Sequence, residues 1–419
     1  MKTTDRQRHV PALILKVGQY PLHSGGVGAV RTLGRFGVPV YVTSEDPFTP
    51  AAVSRYAAGH FRWRATGHED PADLVDGLTA IGRQIGEPSV LVPVDDEAAV
   101  LIAEHADDLS GHFLFPRIRP GLSRQLASKH ELFSLCRLHG VPAPESVYVS
   151  SAEAVAAFTE TATFPVVAKN AEPWVRRRAP AVDGTTVVES AAELTALAAA
   201  AGDSATFILQ DYIPHEQAED WIVHLYCDSG SNCLVLFTGV KLRSWPPNTG
   251  ATASGIAVPN PALADLAGRF CKAVGFRGVA DLDVRYDRRD GQYKLVDFNP
   301  RMGNQFRLFQ TVAGIDVLRA LYLDMTGQHV HPGDQVNGRR IVVEHIDLFA
   351  RIGQRGSGYA PSSAPGRASS TEFAWLAADD PLPFVAMLPR FARLALSDIT
   401  RRQRGVWRRK QVKNGVHND

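Results

Sequence analysis

The sequence predicts an α/β protein: a parallel-sheet amino-terminal part, an antiparallel body and a helical carboxyl-terminal extension. Three observations carry this. Strand-length apolar runs alternate with amphipathic stretches through residues 1–120, the pattern of a parallel sheet flanked by helices. Residues 279–301, VADLDVRYDRRDGQYKLVDFNPR, read as an antiparallel hairpin with one acidic face. Phe384 to Ile399 places apolar residues at helical spacing ahead of a basic end. With 419 residues, 45% hydrophobic and 21% charged, the chain can bury large cores, and its length suggests about two to four domains or subdomains.

The formal net charge of +1 makes no general case for nucleic acid or membrane. Cys136, Cys227, Cys233 and Cys271 form no CxxC pair and no cysteine/histidine cluster along the sequence, which fits reduced thiols in a cytosolic protein. The apolar run in MKTTDRQRHVPALILKVG is too short for a signal-peptide core or a spanning helix. The expectation is a soluble, cytoplasmic protein.

In order along the first part, Ala12 to Val17 is a strand, Ser24 to Gly28 a Gly-rich turn, and a helix follows through Phe36. Val38 to Val42 is the next strand, Asp73 to Ile85 an amphipathic helix, Val90 to Val94 a strand, and Ala98 to His105 a helix. Ligands of such sheets meet the strand carboxyl ends. The Gly-rich turn is not a dinucleotide fingerprint, because G-x-G-x-x-G counted from Gly26 and Gly28 lands on Arg31. Its expected role is to present amides at a helix N-terminus, with a substrate anion as candidate. Asp95 and Asp96 lie at the same edge, where a helix N-cap is the plainer role than substrate contact.

From about residue 121 the character changes. Ser123 to His139 is expected as one helix carrying Lys129, stopped by Gly140 to Pro144. Phe164 to Lys169 is a short strand ending in a lysine, and Thr206 to Gln210 leads into Asp211, Tyr212 and Ile213. Trp221 to Tyr226 and Leu234 to Lys241 have antiparallel spacing, and Lys241 to Gly250 has the Pro and Gly content of a loop over a site. In the hairpin, Asp281, Asp283 and Arg285 share one face, as do Leu295, Asp297 and Asn299 on the returning strand. Pairing Asp283 with Asp297 also pairs Asp281 with Asn299. Carboxylates ~4 Å apart repel by about 4 kcal/mol at a dielectric of ~20. A hard divalent cation turns that repulsion into a binding site; a solvated acidic face is the plainer alternative. His215 and His224 have no partnered acid in view and read as surface or packing histidines.

Four segments, LASKHELFSLCRLHGVPAP, FPVVAKN, FILQDYIP and KLVDFNPR, occur in this order. Together they resemble the ATP-grasp ligases over residues 10 to 330, nearest the carboxylate–amine ligases of the D-aspartate ligase group. The resemblance implies an ATP-grasp fold with a Rossmann-like pre-ATP-grasp domain over 1–120, a two-part ATP-grasp domain over 121–330 and a helical extension over 331–419. It implies that Lys129 and Lys169 hold nucleotide phosphates, flexible point charges being suited to that task. Gln210, Asp211, Tyr212 and Ile213 correspond to the strand whose backbone reads the adenine edge, and Asp220 is the candidate for the ribose hydroxyls. Asp283, Asp297 and Asn299 correspond to ligands of Mg²⁺, with Mn²⁺ as a substitute, and Arg301, Arg243 and Lys241 to cations beside the transferred phosphoryl group. Asp297 stands where the family usually carries glutamate.

The implied reaction is ATP-dependent joining of a small carboxylate, such as an amino acid or small peptide, to an amine through an acyl phosphate, releasing ADP and phosphate. An ATP-grasp kinase and a catalytically silent ATP-binding protein are the alternatives. The implied partners are small molecules and no nucleic acid, with a homodimer as the assembly that relatives suggest. Arg176 to Arg178 are read as a phosphate cover, an anion grip or a solvated loop. Residues 353–370, rich in Gly, Ser, Pro and Ala, read as a flexible linker or a loop. The tail from Arg401 to Lys413 around Trp407 is read as a helix docked on the body in preference to one lying on an anionic membrane.

Overall fold

Ala12–Leu15 (β1) is buried at every position, as befits the middle strand of a sheet covered on both sides. The structure, a computed structural model, describes residues 9–20, 22–63, 69–170, 182, 185–201, 206–354 and 368–396. Around β1 the strands Val40–Ser44 (β2), Ala57–Arg62 (β3), Ser89–Pro93 (β4) and Phe113–Leu114 (β5) form a parallel sheet in the order β3-β2-β1-β4-β5. The helices Ser24–Gly34 (α1), Pro71–Ile85 (α2), Asp96–Glu104 (α3) and Ala106–Leu109 (α4) connect them. The order reverses between β1 and β4, which makes their carboxyl ends the switch point where such sheets meet ligands.

The expected Gly-rich turn is helix instead. α1 begins at Ser24, because the His23 ring accepts a hydrogen bond from the Gly26 amide and caps it. Gly28 lets this helix press on the segment beyond the acidic hairpin; a Cβ there would lie 2.9 Å from both Arg307 and Phe306.

The single helix expected over 123–139 is two, Leu122–Ala127 (α5) and Lys129–Leu138 (α6). Ser128 turns extended between them and caps α6, so Lys129 stands at a helix start. A four-stranded antiparallel sheet follows, in the order β6-β9-β7-β8, from Ser146–Val149 (β6), Val166–Asn170 (β7), Thr185–Val188 (β8) and Phe207–Asp211 (β9). Helices Ala152–Thr161 (α7) and Ala191–Ala201 (α8) complete its layer, and Val155 and Leu194 join Val166, Phe207 and Leu209 in its core.

The largest sheet contains Ala218–Cys227 (β10), Cys233–Trp245 (β11), Ala251–Ala257 (β12), Gly278–Asp287 (β13), Gln292–Asn299 (β14), Arg339–Val342 (β15) and Ser370–Phe373 (β16). Its order is β14-β13-β10-β11-β12-β15-β16. Pro261–Val274 (α9), Val317–Met325 (α10) and Glu344–Gln354 (α11) pack about it. Strand alternation gives it two faces. Trp221, Val223 and Leu225 bury against a core shared with α5, α6 and α9. Ile222 and Tyr226 bury on the other face, against residues of β1, β2, β4 and α10. The amino-terminal domain thus covers part of the face that also carries the acidic residues.

The segment after residue 330 is helical only in part. It supplies β15 and β16 to the large sheet, with Ile341 of β15 buried in the core that the sheet shares with the amino-terminal domain. Residues 382–396 are helical. Asp380, just before them, pairs with Arg31 of α1 at 2.9 Å with both side chains almost fully buried. The arginine also donates to the Trp375 and Asp380 carbonyls. Arg176 to Arg178 and the basic tail from Arg401 lie outside the described residues. Among the described residues no helix is long and apolar enough to cross a membrane.

Candidate active site

The acidic hairpin takes the register expected of it: Asp281 pairs with Asn299 and Asp283 with Asp297. An irregularity then pairs Val284 with Leu295, leaving Val296 as the extra residue of a bulge. The expected sharing of a face by Leu295 and Asp297 is therefore wrong. Leu295 enters the apolar core, while Val296 and Asp297 both line a cleft between the small and large sheets.

That cleft encloses about 280 Å³. Lys169 and the run Gln210, Asp211, Tyr212 and Ile213 line it from the small sheet; Asp220, Lys241, Asp283 and Asp297 line it from the large one. Lys129 reaches it from the start of α6 by an ion pair with Asp297. Lys241 Nζ lies 2.6 Å from Asp283 Oδ1 in an ion contact without hydrogen-bond geometry. Each of the three lysines is thus placed by a different layer, a convergence that only the fold creates.

The charges perturb one another. Burial in the cleft pushes the Asp283 carboxyl up; Lys241 opposes this, and Asp281 and Asp297 reinforce it by repulsion. Asp297 is also pushed up by desolvation, but Lys129, Lys169 and Arg301 together hold it below the usual carboxylate range. Burial brings Lys169 down to about 8, with Lys129 adding like-charge repulsion.

Arg301 and Asn299 stand beside the cleft. Arg301 Nη2 donates to Asn299 Oδ1 at 3.0 Å, and the same guanidinium approaches Asp281 and Asp96, each at 3.3 Å. It therefore joins the hairpin to the carboxyl edge of the amino-terminal sheet. At that edge Asp95 is the N-cap of α3, accepting from Ala98, and it also accepts from Gly18 at 2.6 Å. The N-cap role holds for Asp95, while Asp96 faces the arginine. Two of the amides of the Gly-rich run are occupied, Gly25 by Asn304 and Gly26 by His23.

Arg243, expected beside the phosphoryl group, is instead held by Asp347 of α11 at 2.6 Å. The β11–β12 register shifts between Lys241 and Arg243 and again before Ser244. This breaks the strict alternation, so Lys241 and Ser244 line the cleft and Arg243 does not. The expected loop over 241–250 is also shorter, since β11 runs to Trp245.

Two site residues were not singled out. Arg285 forks onto Asp220 at 2.7 and 3.1 Å and donates to the carbonyls of Asn248 and Ile213. It ties together the β11–β12 tip, the segment after β9 and Asp220; its place on the Asp281/Asp283 face was the available signal. His224, read as packing, is fully buried with Nε2 3.0 Å from Asp281 Oδ1. Its partner lies on the neighbouring strand, at its own register position. Gly303 closes over the pair: a Cβ there would stand 2.3 Å from Asp281 Oδ2.

A parallel amino-terminal sheet set against a large antiparallel sheet, with a small antiparallel sheet closing over basic and acidic groups, defines the class: the chain has the ATP-grasp fold. No family model matches it. Over 240 residues it is 25% identical to a D-aspartate ligase of Enterococcus faecium (strain Aus0004), a match covering 55% of this chain and 57% of the relative. The match thus spans little more than half the length of that relative. Among solved structures, an L-amino acid ligase from Bacillus licheniformis superposes with a TM-score of 0.57 at 15% identity, over 78% of each chain. The ADP complex of N5-carboxyaminoimidazole synthetase from Staphylococcus aureus gives 0.58 at 11% identity, over 78% of this chain and 80% of that one.

Proposed function

We propose that the protein is an ATP-dependent ligase that joins a small carboxylate to an amine, releasing ADP and phosphate. The observation that carries this is the convergence of Lys129, Lys169 and Lys241 on the register-paired Asp283 and Asp297 in one cleft between two sheets. Similarity to a D-aspartate ligase supports an amino acid among the substrates.

The donor set fits a hard divalent ion. Carboxylates and an amide oxygen are the atoms Mg²⁺ takes, and Asp283 and Asp297 are register partners that line the same cleft. Asp283, Asp297 and Asn299 would hold Mg²⁺, which when bound supplies charge neutralisation at the phosphates; Mn²⁺ would substitute. Lys129 and Lys169 position phosphates as point charges. The strand end Gln210 to Ile213 offers backbone groups to adenine, and Asp220, oriented by Arg285, accepts from the ribose hydroxyls. Arg301, between the cleft and the amino-terminal sheet, stabilises negative charge on the substrate carboxylate as it takes the phosphoryl group. Attack of the amine on the resulting acyl phosphate then expels phosphate. Such a transfer needs position and electrostatics, with no covalent protein nucleophile. Arg243, held by Asp347, is assigned to supporting β11.

The test is phosphate release from Mg·ATP across a panel of carboxylates and amines, with Asp297→Ala as control. Release that requires both co-substrates and is lost in the variant is expected. ADP formation with a stable phosphorylated acceptor and no amine requirement would make the protein a kinase. Failure to bind Mg·ATP would end the catalytic reading.

A further inference from the structure

Three of the four cysteines, scattered along the sequence, meet at the end of the large sheet away from the cleft. Cys227 ends β10 and Cys233 begins β11; the two are register partners across that hairpin. Cys271, on α9, completes the group, and the three sulfurs lie within 4.8 Å of one another. The sulfurs of Cys227 and Cys233 are 2.8 Å apart. The expectation of no cysteine cluster fails here because strand pairing and helix packing, unlike sequence spacing, bring the residues together.

The surroundings are built around this meeting point. The Asp228 carboxylate accepts from the Gly230 and Asn232 amides and so fixes the turn between the two strands. Lys272, next to Cys271, donates to the Gly230 carbonyl and the Asn232 side chain, pinning the same turn to α9. Cys227 and Cys271 are fully buried, while Cys233 is half-buried and leaves one flank open. Isolated core cysteines pack as small hydrophobes. Three converging sulfurs on a braced hairpin and helix, with an open flank, offer more than packing.

We propose that Cys227, Cys233 and Cys271 form a thiolate site for a soft metal ion of the Zn²⁺, Cd²⁺ or Cu⁺ type. With metal–sulfur bonds of ~2.3 Å, ligand sulfurs in a tetrahedral or trigonal site stand roughly 3.8–4.0 Å apart. Side-chain adjustments smaller than a bond length reach that spacing from the arrangement seen. Soft thiolate donors select these ions over Mg²⁺, so the site is chemically separate from the carboxylate cleft. The open flank at Cys233 admits the ion and a solvent ligand. Bound there, the metal clamps β10, β11 and α9 at one point, a structural role independent of the ligase reading.

The experiment uses the full chain, reduced and stripped of metal, titrated with Cd²⁺ in a thiol-free reductant and followed by the ultraviolet thiolate-to-cadmium charge-transfer band. Saturation at one ion per chain is expected, with Zn²⁺ competing and raising the thermal midpoint. Cys233→Ser, the variant least able to disturb the core, is expected to weaken binding at least tenfold and to abolish the Zn²⁺-dependent rise. Cys136→Ser, outside the group, should change neither. No saturable band overturns the proposal, as does binding unaffected by Cys233→Ser. Quantitative formation of a Cys227–Cys233 disulfide by mild oxidation, with no metal binding in the reduced protein, would also overturn it.

Discussion

Asp283 and Asp297 face each other across one hairpin, yet replacing each by asparagine is expected to move stability in opposite directions. Lys241 at 2.6 Å attracts Asp283, by about 6 kcal/mol at a dielectric of ~20. Asp281 and Asp297, at the roughly 5–6 Å of same-face neighbours, each repel it by about 3 kcal/mol. These terms nearly cancel, and desolvation decides, which is why the Asp283 carboxyl is raised. A carboxyl with a raised folded pKa contributes stability at low pH that is lost as pH rises through that value. An amide cannot ionise, so Asp283→Asn escapes the loss. At pH 7 with chelator, Asp283→Asn should equal wild type or exceed it by about 1 kcal/mol. Asp297 is held low by cations, and Asp297→Asn strips Lys129 of its partner. Removing one partner of a fully buried pair costs about 3–5 kcal/mol. Because the Asp297 side chain keeps 24% exposure, solvent screening reduces this to about 1–3 kcal/mol. On the proposed ligase reading, both variants should lose turnover by about 10²–10³-fold, the range for deleting one transition-state contact. Urea unfolding in EDTA and phosphate release measure the two effects. An Asp283→Asn protein that is less stable than wild type by more than about 1 kcal/mol, or that retains turnover, refutes the reasoning.

The other tests address separate parts of the site and its support. Burial brings Lys169 down to about 8, so its charge falls off as pH rises through that value and nucleotide affinity should weaken with it; Lys169→Arg, always charged, should flatten the profile in a fluorescence titration. Arg285→Lys loses the fork onto Asp220; nucleotide affinity should fall about tenfold with little change in the urea midpoint. Gly303→Ala drives a methyl into Asp281 and should cost about 1–3 kcal/mol of stability, together with most of the turnover. Asp380→Ala leaves Arg31 buried without its carboxylate and should destabilise the fold by about 3–5 kcal/mol in urea.

What could be read in advance depended on how local the cause was. The pairing of Asp281 with Asn299 follows from two-residue alternation in a short hairpin, where the turn limits the registers open to it. The bulge at Val296 breaks that alternation, and no residue of the strand is a glycine or proline to announce it. The displacement of Arg243 has the same origin, a register shift inherited from the neighbouring β12. The His224–Asp281 contact depended on which strands become neighbours, and the sequence does not carry that locally. The carboxyl-terminal strands were missed for a related reason. Arg339 to Val342 is too short to declare itself, and only an open sheet edge beside β12 makes it a strand. Long-range packing therefore decided the points where local pattern failed, and those points border the cleft. Arg301 shows why this matters for function: it reaches from the hairpin to Asp96, the first residue of α3 in the amino-terminal domain. A change at either end of that contact should disturb the Arg301 contacts with Asn299 and Asp281 on the hairpin.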